Sequence, residues 1–491
     1  MLAAALLGPG CTSAPAARRE AGGQGGVGDA SFESGSGGSD GWADTAGEPE
    51  AGDVSSDRGT DAGGGGEMPG EDGGVVDGGD GSVMDGGSTD GSDGAGGGGG
   101  NDVAAGSTDA SGSDGGGGGN DVAAIAANLG YSCAVRRSGQ VKCWGANNFG
   151  QLGVGDYAAR HTPAAVDVGG NAIAIGAGYN HACAVLDSGA VKCWGDNGFG
   201  QLGDGGTSAR PAPGPAVNLM GVRATAVTAS FGSTCALLET GAVKCWGDGA
   251  NGLLGNGDTS NRADPVSVSG LSGPATLVSC GYFHCCALVS VGQGSQVSCW
   301  GDNAHAAIGA GSTQGSYTSA TTVANLAPRA IGLAAGEFHT CGLLDSGDVL
   351  CWGDSTTGAL GIGFVPDQLK PSVAVDLGAA AAVVAAGNSL SCAILGNGDV
   401  RCWGSNVSGG LGIGSADAST RPVPAGPVDL GGHAARAIAI GNSHVCVVLD
   451  SGELKCWGQN ESGQLGLGDT DNRGDGPSEM GANLPAVDLG P

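Results

Sequence analysis

The sequence predicts an all-β protein: a seven-bladed β-propeller of four-stranded blades with one disulfide bond in each blade, preceded by a long disordered acidic segment. Three observations carry this prediction. Cys-Trp-Gly occurs seven times at intervals of 50 to 54 residues, so one unit repeats along the chain. Each copy has another cysteine upstream, among short β-branched runs separated by turn residues. Before residue 121 the composition changes to mostly Gly, Asp and Ser.

The first eleven residues, MLAAALLGPGC, are apolar and are followed by small and polar residues. They resemble the end of a bacterial lipoprotein signal, in which the cysteine is lipidated. We therefore expect residues 1–11 to be a leader and Cys11 to carry the lipid, with a cleaved or misassigned leader as the alternative. The lipid would be the chain's only link to a membrane.

Residues 12–120 are predicted to be a disordered linker. Between positions 20 and 120 there are 21 acidic residues and one arginine. Large apolar side chains are scarce, so burial cannot offset the entropy cost of ordering this segment. No stretch has the spacing of a calcium loop with a closing Glu, which favours a solvated linker. The formal net charge of −30 for the whole chain argues against nucleic acid as a partner.

The cysteines are predicted to staple β-hairpins. In the second copy, HACAVLDSGAVKCWG, Val185 mirrors Val191 and Cys183 mirrors Cys193 about the turn. Asp-Ser-Gly suits a three-residue hairpin loop whose last residue has positive φ. Opposed residues on antiparallel strands lie within disulfide range, whereas zinc sites favour Cys-x-x-Cys. The predicted pairs are Cys133–Cys143, Cys183–Cys193, Cys235–Cys245, Cys286–Cys299, Cys341–Cys351, Cys392–Cys402 and Cys446–Cys456, with Cys280–Cys285 as a candidate extra bridge.

The ends of the repeat region, residues 121–491, predict how the ring closes. The first copy lacks the Pro-x-x-Val strand that precedes the same point in later copies, and the chain ends with LPAVDLG at 484–490. We therefore expect the C-terminal strand 484–490 to complete the first blade, leaving no open sheet edge.

The pattern Gly-x-x-His-x-Cys-x-Leu, Gly-x-Val-x-Cys-Trp-Gly, Gly-Gln-Leu-Gly-x-Gly resembles the repeat of the regulator of chromosome condensation family, over roughly residues 122–491. The resemblance implies a seven-bladed propeller whose activity is carried by its loops. The doubled cysteines look like an exported bacterial branch of that family. The nuclear member of the family is a guanine-nucleotide exchange factor, a role that an exported chain would share only by resemblance.

Three columns of recurring residues are interpreted as structural. The repeated tryptophans are expected to pack against the neighbouring blade. Histidines two positions before the first cysteine could suggest a metal, but blade-related positions lie far apart on a circle. Arginines before the outer strand are expected to brace loops. The histidines are His181, His284, His339 and His444, and the arginines are Arg160, Arg210, Arg262, Arg421 and Arg473.

The sequence predicts a non-enzymatic, monomeric scaffold that binds a protein or glycan at the cell envelope or outside the cell. Disulfide bonds are typical of such oxidising compartments. We expect no catalytic residues, no metal and no cofactor, and the candidate binding loops carry Tyr157, Tyr317 and Phe364. The alternative in another class is an extracellular glycan hydrolase like the sialidase propellers, although no arginine triad or Glu-Tyr pair accompanies the hairpins.

Overall fold

The computed structural model describes residues 121–490 except 327, 328, 416 and 418. The predicted lipidation at Cys11 and the predicted linker over residues 12–120 lie outside the described residues. The described part contains 24 strands and three short 3-10 turns, at Ala250–Gly252, Val407–Gly409 and Gly481–Asn483. None of its helices has the length and apolarity needed to cross a membrane.

Each repeat forms one antiparallel sheet, and the seven sheets are numbered here as blades 1 to 7. Blades 1 and 2 contain β1 (Val122–Asn128), β2 (Tyr131–Arg136), β3 (Val141–Gly145) and β4 (Arg160–Val166), then β5 (Ala172–Ala177), β6 (His181–Leu186) and β7 (Val191–Gly195). Blades 3 and 4 contain β8 (Ala224–Ala229), β9 (Ser233–Leu238), β10 (Val243–Gly247) and β11 (Arg262–Ser267), then β12 (Ala275–Cys280), β13 (His284–Val291), β14 (Gly294–Asp302) and β15 (Ser316–Thr322). Blades 5 to 7 contain β16 (Ala330–Ala335), β17 (His339–Leu344) and β18 (Val349–Gly353), then β19 (Ala381–Ala386), β20 (Leu390–Leu395) and β21 (Val400–Gly404), then β22 (Ala435–Ile440), β23 (His444–Leu449) and β24 (Leu454–Gly458).

The outer strand is complete in blades 1, 3 and 4 and reduced to isolated bridges in the other four. In blade 2 the outer segment contacts the sheet at Gly195 and Arg210, and the Val217 N–H donates to Val191 O at 2.8 Å. Three prolines lie in this segment, at 211, 213 and 215. Proline has no N–H to donate, so the ladder is interrupted there. The four-stranded plan of the blade is retained, with a weakened fourth strand.

The predicted disulfide bonds are confirmed, all within blades. Cys183 lies opposite Cys193 in the register of β6 and β7, with 4.1 Å between the two Cα atoms. The fourth blade carries the longer loop and a Cys286–Cys299 bridge. The extra bridge Cys280–Cys285 is also present and joins β12 to β13. The remaining bridges are Cys133–Cys143, Cys235–Cys245, Cys341–Cys351, Cys392–Cys402 and Cys446–Cys456.

The seven sheets form a closed ring. The first strand of each blade contacts the first strand of the next, in the order β1, β5, β8, β12, β16, β19, β22 and back to β1. The core is correspondingly divided into clusters that fill the joints between neighbouring blades. One cluster joins the two ends of the domain, because Val122 and Ile125 of β1 pack with Val448 and Leu454 of blade 7.

The prediction that residues 484–490 complete the first blade is wrong. The Val487 N–H donates to Leu454 O at 2.7 Å, which makes this segment the outer strand of blade 7. The outer strand of blade 1 is β4, which pairs with β3 in the same repeat. Each repeat therefore builds its own blade from the inside outwards. The ring closes through side chains and loops instead of a shared sheet.

A tryptophan clasp forms every joint, including the closing one. The indole Nε1 of each Cys-Trp-Gly tryptophan donates to a backbone carbonyl in the loop of the preceding blade, as from Trp194 to Gln151 O at 2.9 Å. Trp144 of blade 1 donates to Gln464 O of blade 7 at 2.8 Å. A glycine lies against each indole; at Gly203, with φ of +68°, a Cβ would lie 2.7 Å from Nε1 of Trp246. This contact explains why glycine follows Gln-Leu in the repeat.

Replacing Trp300 by Phe is expected to cost more stability than replacing Trp246 by Phe, by about 1 kcal/mol. Both substitutions leave the same small gap. Gln201 O also accepts a hydrogen bond from Thr234 Oγ1 at 2.9 Å, so it keeps a donor when Trp246 is changed. The carbonyl of Leu253 accepts from Trp300, and Cys285 offers no hydroxyl there. Urea unfolding of the two variants measures the difference, and equal losses would contradict this account of the clasp.

Candidate functional site

The histidine column is buried inside the joints. Each imidazole Nε2 contacts a hydroxyl of the following blade at 2.7 to 2.9 Å, as His181 does with Thr234 Oγ1 at 2.8 Å. The hydroxyl in turn donates to the carbonyl that holds the tryptophan. The pairs are His181 with Thr234, His284 with Thr340, His339 with Ser391 and His444 with Ser132.

Histidine and hydroxyl occur together at every joint or are absent together. The three joints without histidine also lack the hydroxyl, and each has a different replacement pair. These pairs are Tyr131 with Ala182, Ser233 with Cys285, and Leu390 with Val445. Each histidine of the column is therefore half of a structural hydrogen-bonded pair, in agreement with the structural role that the sequence indicated. Burial lowers the pKa of His181, His339 and His444 to about 4 and that of His284 to about 3, so all four are neutral at physiological pH.

The recurring arginines brace the loops before the outer strands, as predicted. Each forms an ion pair with an aspartate four or six residues earlier, at 2.5 to 3.2 Å. The hydrogen bond from Arg160 holds the pKa of Asp156 below its ordinary value. Sequence reasoning missed a second brace: buried Asn197 binds the same loop through both amide atoms. Equivalent asparagines are Asn147, Asn303, Asn406 and Asn460.

The three aromatic residues predicted for binding loops lie apart, in blades 1, 4 and 5. Tyr157 is 53% exposed and Phe364 is 70% exposed. The expectation that Tyr317 is also exposed is wrong. It pairs with Gly301 in β15, packs on the core of the joint, and its hydroxyl contacts Ser312 at 3.1 Å. Because Tyr317 is part of a paired strand, its ring packs against the core instead of extending from a loop.

A contiguous aromatic surface lies elsewhere, on the turns that join the first and second strands of blades 2 to 5. We call Tyr179, Phe231, Tyr282, Phe283 and Phe338 the aromatic row. Ring centroids are 4.7 Å apart for Tyr179 and Phe231, 6.0 Å for Phe231 and Phe283, and 5.3 Å for Phe283 and Phe338. All of the row except Tyr282 is half-buried. The row continues at its two flanks into Phe199 and His305.

Tyr282 reaches from the turn of blade 4 to blade 1. Its hydroxyl donates to Asn128 Oδ1 at 3.3 Å, which belongs to blade 1 on the far side of the ring. Asn128 donates to Ala177 O at 2.8 Å, so the phenol is held by a buried network. Burial raises the pKa of Tyr282. The row therefore follows the turns of successive blades and is held to blade 1 through Tyr282.

Acidic residues border the aromatic row on the same blades. Each follows Cys-Trp-Gly and donates its backbone N–H to a carbonyl of the neighbouring turn, as Asp302 does to Phe283 O at 2.8 Å and Asp354 to Phe338 O at 2.9 Å. The full set is Asp196, Asp248, Asp302 and Asp354. Glu337 joins them from the turn of blade 5, and burial together with the Asp354 carboxylate raises its pKa. In the described part of the chain, no lysine or arginine forms an ion pair with these acids.

Blades 1, 6 and 7 lack both features. Their turns carry Leu129, Asn388 and Asn442 at the first position, and Gly130, Ser389 and Ser443 at the second. Their acid positions are Ala146, Ser405 and Gln459. The same fold is built in these blades without aromatic residues at the turn or an acid after Cys-Trp-Gly, so the fold does not require them at these positions. The aromatic row and its acids form the candidate binding site. The sequence does contain a signal for this site. The two residues of the turn before the second strand are Tyr-Asn, Phe-Gly, Tyr-Phe and Glu-Phe in blades 2 to 5, but Asn-Ser in blades 6 and 7.

A cleft lies away from this site, at the outer rim between blades 1 and 7. It has a volume of about 520 Å³ and is lined mainly by small residues and prolines, with Lys142 and Asp488 as its charged members. Few polar groups converge there, so it does not have the lining expected of a small-molecule site. The row and its acids remain the stronger candidate.

Comparison with known proteins agrees with this architecture. A family model described as the regulator of chromosome condensation (RCC1) repeat matches residues 122–151, 172–201, 224–253, 331–359, 382–409 and 435–464, and a second of the same description matches residues 138–185, 188–237 and 240–288. The ultraviolet-B receptor UVR8 of Arabidopsis thaliana is 32% identical over 248 residues, which cover 50% of this chain and 56% of the receptor. The E3 ubiquitin-protein ligase HERC2 of Homo sapiens is 31% identical over 247 residues, 49% of this chain and 5% of the ligase. The chain therefore spans about half of the first relative and a small part of the second.

Solved structures share the fold at low sequence identity. Human WBSCR16 superimposes with a TM-score of 0.61 and 21% identity, covering 68% of this chain and 92% of that one. Yeast RCC1 (Prp20), bound to Kap60, superimposes with a TM-score of 0.60 and 19% identity, covering 71% and 83%. The repeat matches, the closed ring of seven blades and these structures lead to one conclusion. The chain belongs to the regulator of chromosome condensation (RCC1) repeat family.

Proposed function

We propose that this protein is an exported, non-enzymatic scaffold that binds a basic segment of a partner protein on the aromatic row. The observation that carries the proposal concerns two positions of a sevenfold repeated structure: the turn between the first two strands is aromatic, and the residue after Cys-Trp-Gly is acidic, only in blades 2 to 5. Aromatic side chains are enriched at the energetic centres of protein interfaces. The acids that border the row favour a cationic partner over a neutral one.

The geometry suits arginine side chains. A guanidinium stacks on aromatic rings and bonds carboxylates through its fork of N–H donors. Phe283 and Phe338 lie 5.3 Å apart with their planes inclined at 22°, next to Asp302 and Asp354. A basic segment lying along the row would meet a ring and a carboxylate on each successive blade. A glycan would gain less from this arrangement, because it brings no positive charge to the acids.

Export is supported by the eight disulfide bonds of the repeat domain, since cytosolic thiols are kept reduced. The envelope anchor at Cys11 remains a prediction from sequence. A binding role agrees with a solved relative, yeast Prp20, which has been solved bound to Kap60 and has binding properties to Gsp1p and histones. Those partners belong to Prp20, and this chain shares with it the fold alone.

The proposal predicts that the double variant Phe283→Ser, Phe338→Ser loses about tenfold or more in affinity for a synthetic peptide of alternating Arg and Gly. Serine is the residue that blades 6 and 7 carry at these positions, as Ser389 and Ser443, so the turns should keep their fold. Fluorescence anisotropy on the full chain measures the affinity. A Glu-Gly peptide of equal length should not bind, and added salt should weaken the Arg-Gly complex.

The matched control is the double variant Tyr157→Ala, Phe364→Ala, which removes the two most exposed aromatic residues of the described loops. We expect its affinity to equal that of the unchanged protein. Loss of binding in this control, with the serine variant unaffected, would move the site to the outer loops. Absence of binding to the Arg-Gly peptide, with retention on a glycan array, would replace the basic partner by a sugar.

A further inference from the structure

We propose that His305, Asp354 and Asp367 form a site for a divalent transition-metal ion of the Zn²⁺ class at the joint between blades 4 and 5. One donor atom from each residue, the imidazole nitrogen and two carboxylate oxygens, lies within 4.8 Å of the other two. His305 Nδ1 is 3.8 Å from Asp367 Oδ2. Zinc bonds of about 2.0–2.2 Å place ligand atoms roughly 3.5 Å apart, so the side chains need to close by about 1 Å.

The repeat architecture brings these three residues together. His305 lies in the loop after β14, at a position whose side chain reaches the following blade: at the previous joint, Asn251 donates to Asp302 Oδ2 at 2.9 Å. Asp354 is the acid that follows Cys-Trp-Gly in blade 5 and is only 7% exposed. Asp367 is half-buried in the same blade.

The hydrogen bonding of its loop does not require Asp367 to carry a negative charge. Asp367 Oδ1 accepts a hydrogen bond from the Ser355 N–H at 3.1 Å. In blades 3 and 7 the same bond is made by an amide, from Gly249 N–H to Asn261 Oδ1 and from Asn460 N–H to Asn472 Oδ1. An asparagine is therefore sufficient for the backbone, and the extra negative charge in blade 5 points towards His305.

The donor set selects the class of ion. Imidazole nitrogen combined with carboxylate oxygen is typical of zinc and related transition metals, whereas Ca²⁺ and Mg²⁺ prefer oxygen ligands throughout. In the described part of the chain, the other group of three candidate donors is Cys235, Cys280 and Cys285, and disulfide bonds occupy those sulfurs. Two carboxylates and a neutral imidazole balance a divalent charge and leave further coordination positions open for water.

Direct titration of the metal-stripped full chain with Zn²⁺ and with Co²⁺ tests the inference, in buffer with millimolar Ca²⁺ to occupy weak carboxylate sites. We expect one tight Zn²⁺ site per chain by calorimetry and a visible absorption band when Co²⁺ binds. His305→Gln and Asp367→Asn should each weaken Zn²⁺ binding by about 10- to 100-fold or more and abolish the Co²⁺ band. Asp367→Asn restores the residue of blades 3 and 7, so its thermal midpoint without metal should be unchanged.

The matched control is His433→Gln. His433 Nδ1 lies 3.3 Å from Asp450 Oδ1 on blade 7. Among the residues that the structure describes, no third metal-ligating side chain joins this His–Asp contact. Zinc affinity should not change in this variant. Absence of a tight site in the unchanged protein, or a tight site that survives both His305→Gln and Asp367→Asn, would overturn the inference. The test uses the metal alone, so its failure would leave the peptide-binding proposal intact.

Discussion

Refolding of the fully reduced chain is expected to fail in reducing buffer and to succeed in a glutathione redox buffer. Closing a loop of about ten residues adds roughly 2–3 kcal/mol per disulfide on the chain-entropy model. Eight such bonds therefore contribute on the order of 20 kcal/mol, which exceeds the 5–15 kcal/mol that separates most folded domains from their unfolded chains. Tryptophan fluorescence reports the result directly, because all seven clasp tryptophans are fully buried in the folded ring.

A variant that lacks one disulfide bond should lose only the stability that this bond contributes. Cys280→Ala with Cys285→Ala copies Ala177 and Ala182, the paired residues at the same positions of blade 2, and deletes the extra bridge without adding a hydroxyl to the joint. We expect a cooperative, folded ring that is less stable by about 2 kcal/mol. A reduced chain that regained buried tryptophans and cooperative unfolding would show that packing alone holds the ring, and would remove the main support for export.

Repetition made the fold and the disulfide pairing predictable, because seven copies show which positions face each other. It could not decide how the ring closes. A Pro-x-x-Val segment between two hairpins reads the same whether it ends one blade or begins the next. One recurring backbone hydrogen bond shows which blade the segment joins. Val217 N–H donates to Val191 O within blade 2, and Val487 N–H donates to Leu454 O within blade 7. No sequence pattern distinguishes these partners from those of a shared blade.

The candidate site was hidden for a different reason. Tyr179, Phe231 and Phe283 are about 50 residues apart in sequence, and each stands in a turn of ordinary length. The loops that differ most between repeats carry Tyr157, Tyr317 and Phe364 instead, so the sequence favoured those three residues. Only the circular arrangement shows that turns of successive blades are neighbours, with rings 4.7 to 6.0 Å apart. The histidine pairs share this logic, since each partner hydroxyl belongs to the next repeat.

Acidification is expected to unfold the domain between about pH 6 and pH 4. The four joint histidines have folded-state pKa values of about 3 to 4, below the ordinary value of 6.5. Below pH 6.5 the unfolded chain binds protons that the folded chain excludes, so stability falls as the pH falls towards the folded pKa. Each histidine lowers the free energy of unfolding by up to about 1.4 kcal/mol for each pH unit of acidification, and the four together lower it by about 5 kcal/mol per pH unit. Two pH units would therefore consume most of the stability of a typical domain.

Urea unfolding measured from pH 7.5 to pH 4.5 checks this slope, and two variants assign it. The pair His444→Leu, Ser132→Val copies Leu390 and Val445 from the joint between blades 6 and 7, and should reduce the slope by about a quarter. His433→Gln changes an exposed histidine and should leave it unchanged. The aspartates with lowered pKa values act in a separate window, because their stabilisation is lost only as the pH falls below their ordinary value of 3.8. An unfolding free energy that stayed constant down to pH 4.5 would mean that the joints open to solvent and take up protons without unfolding.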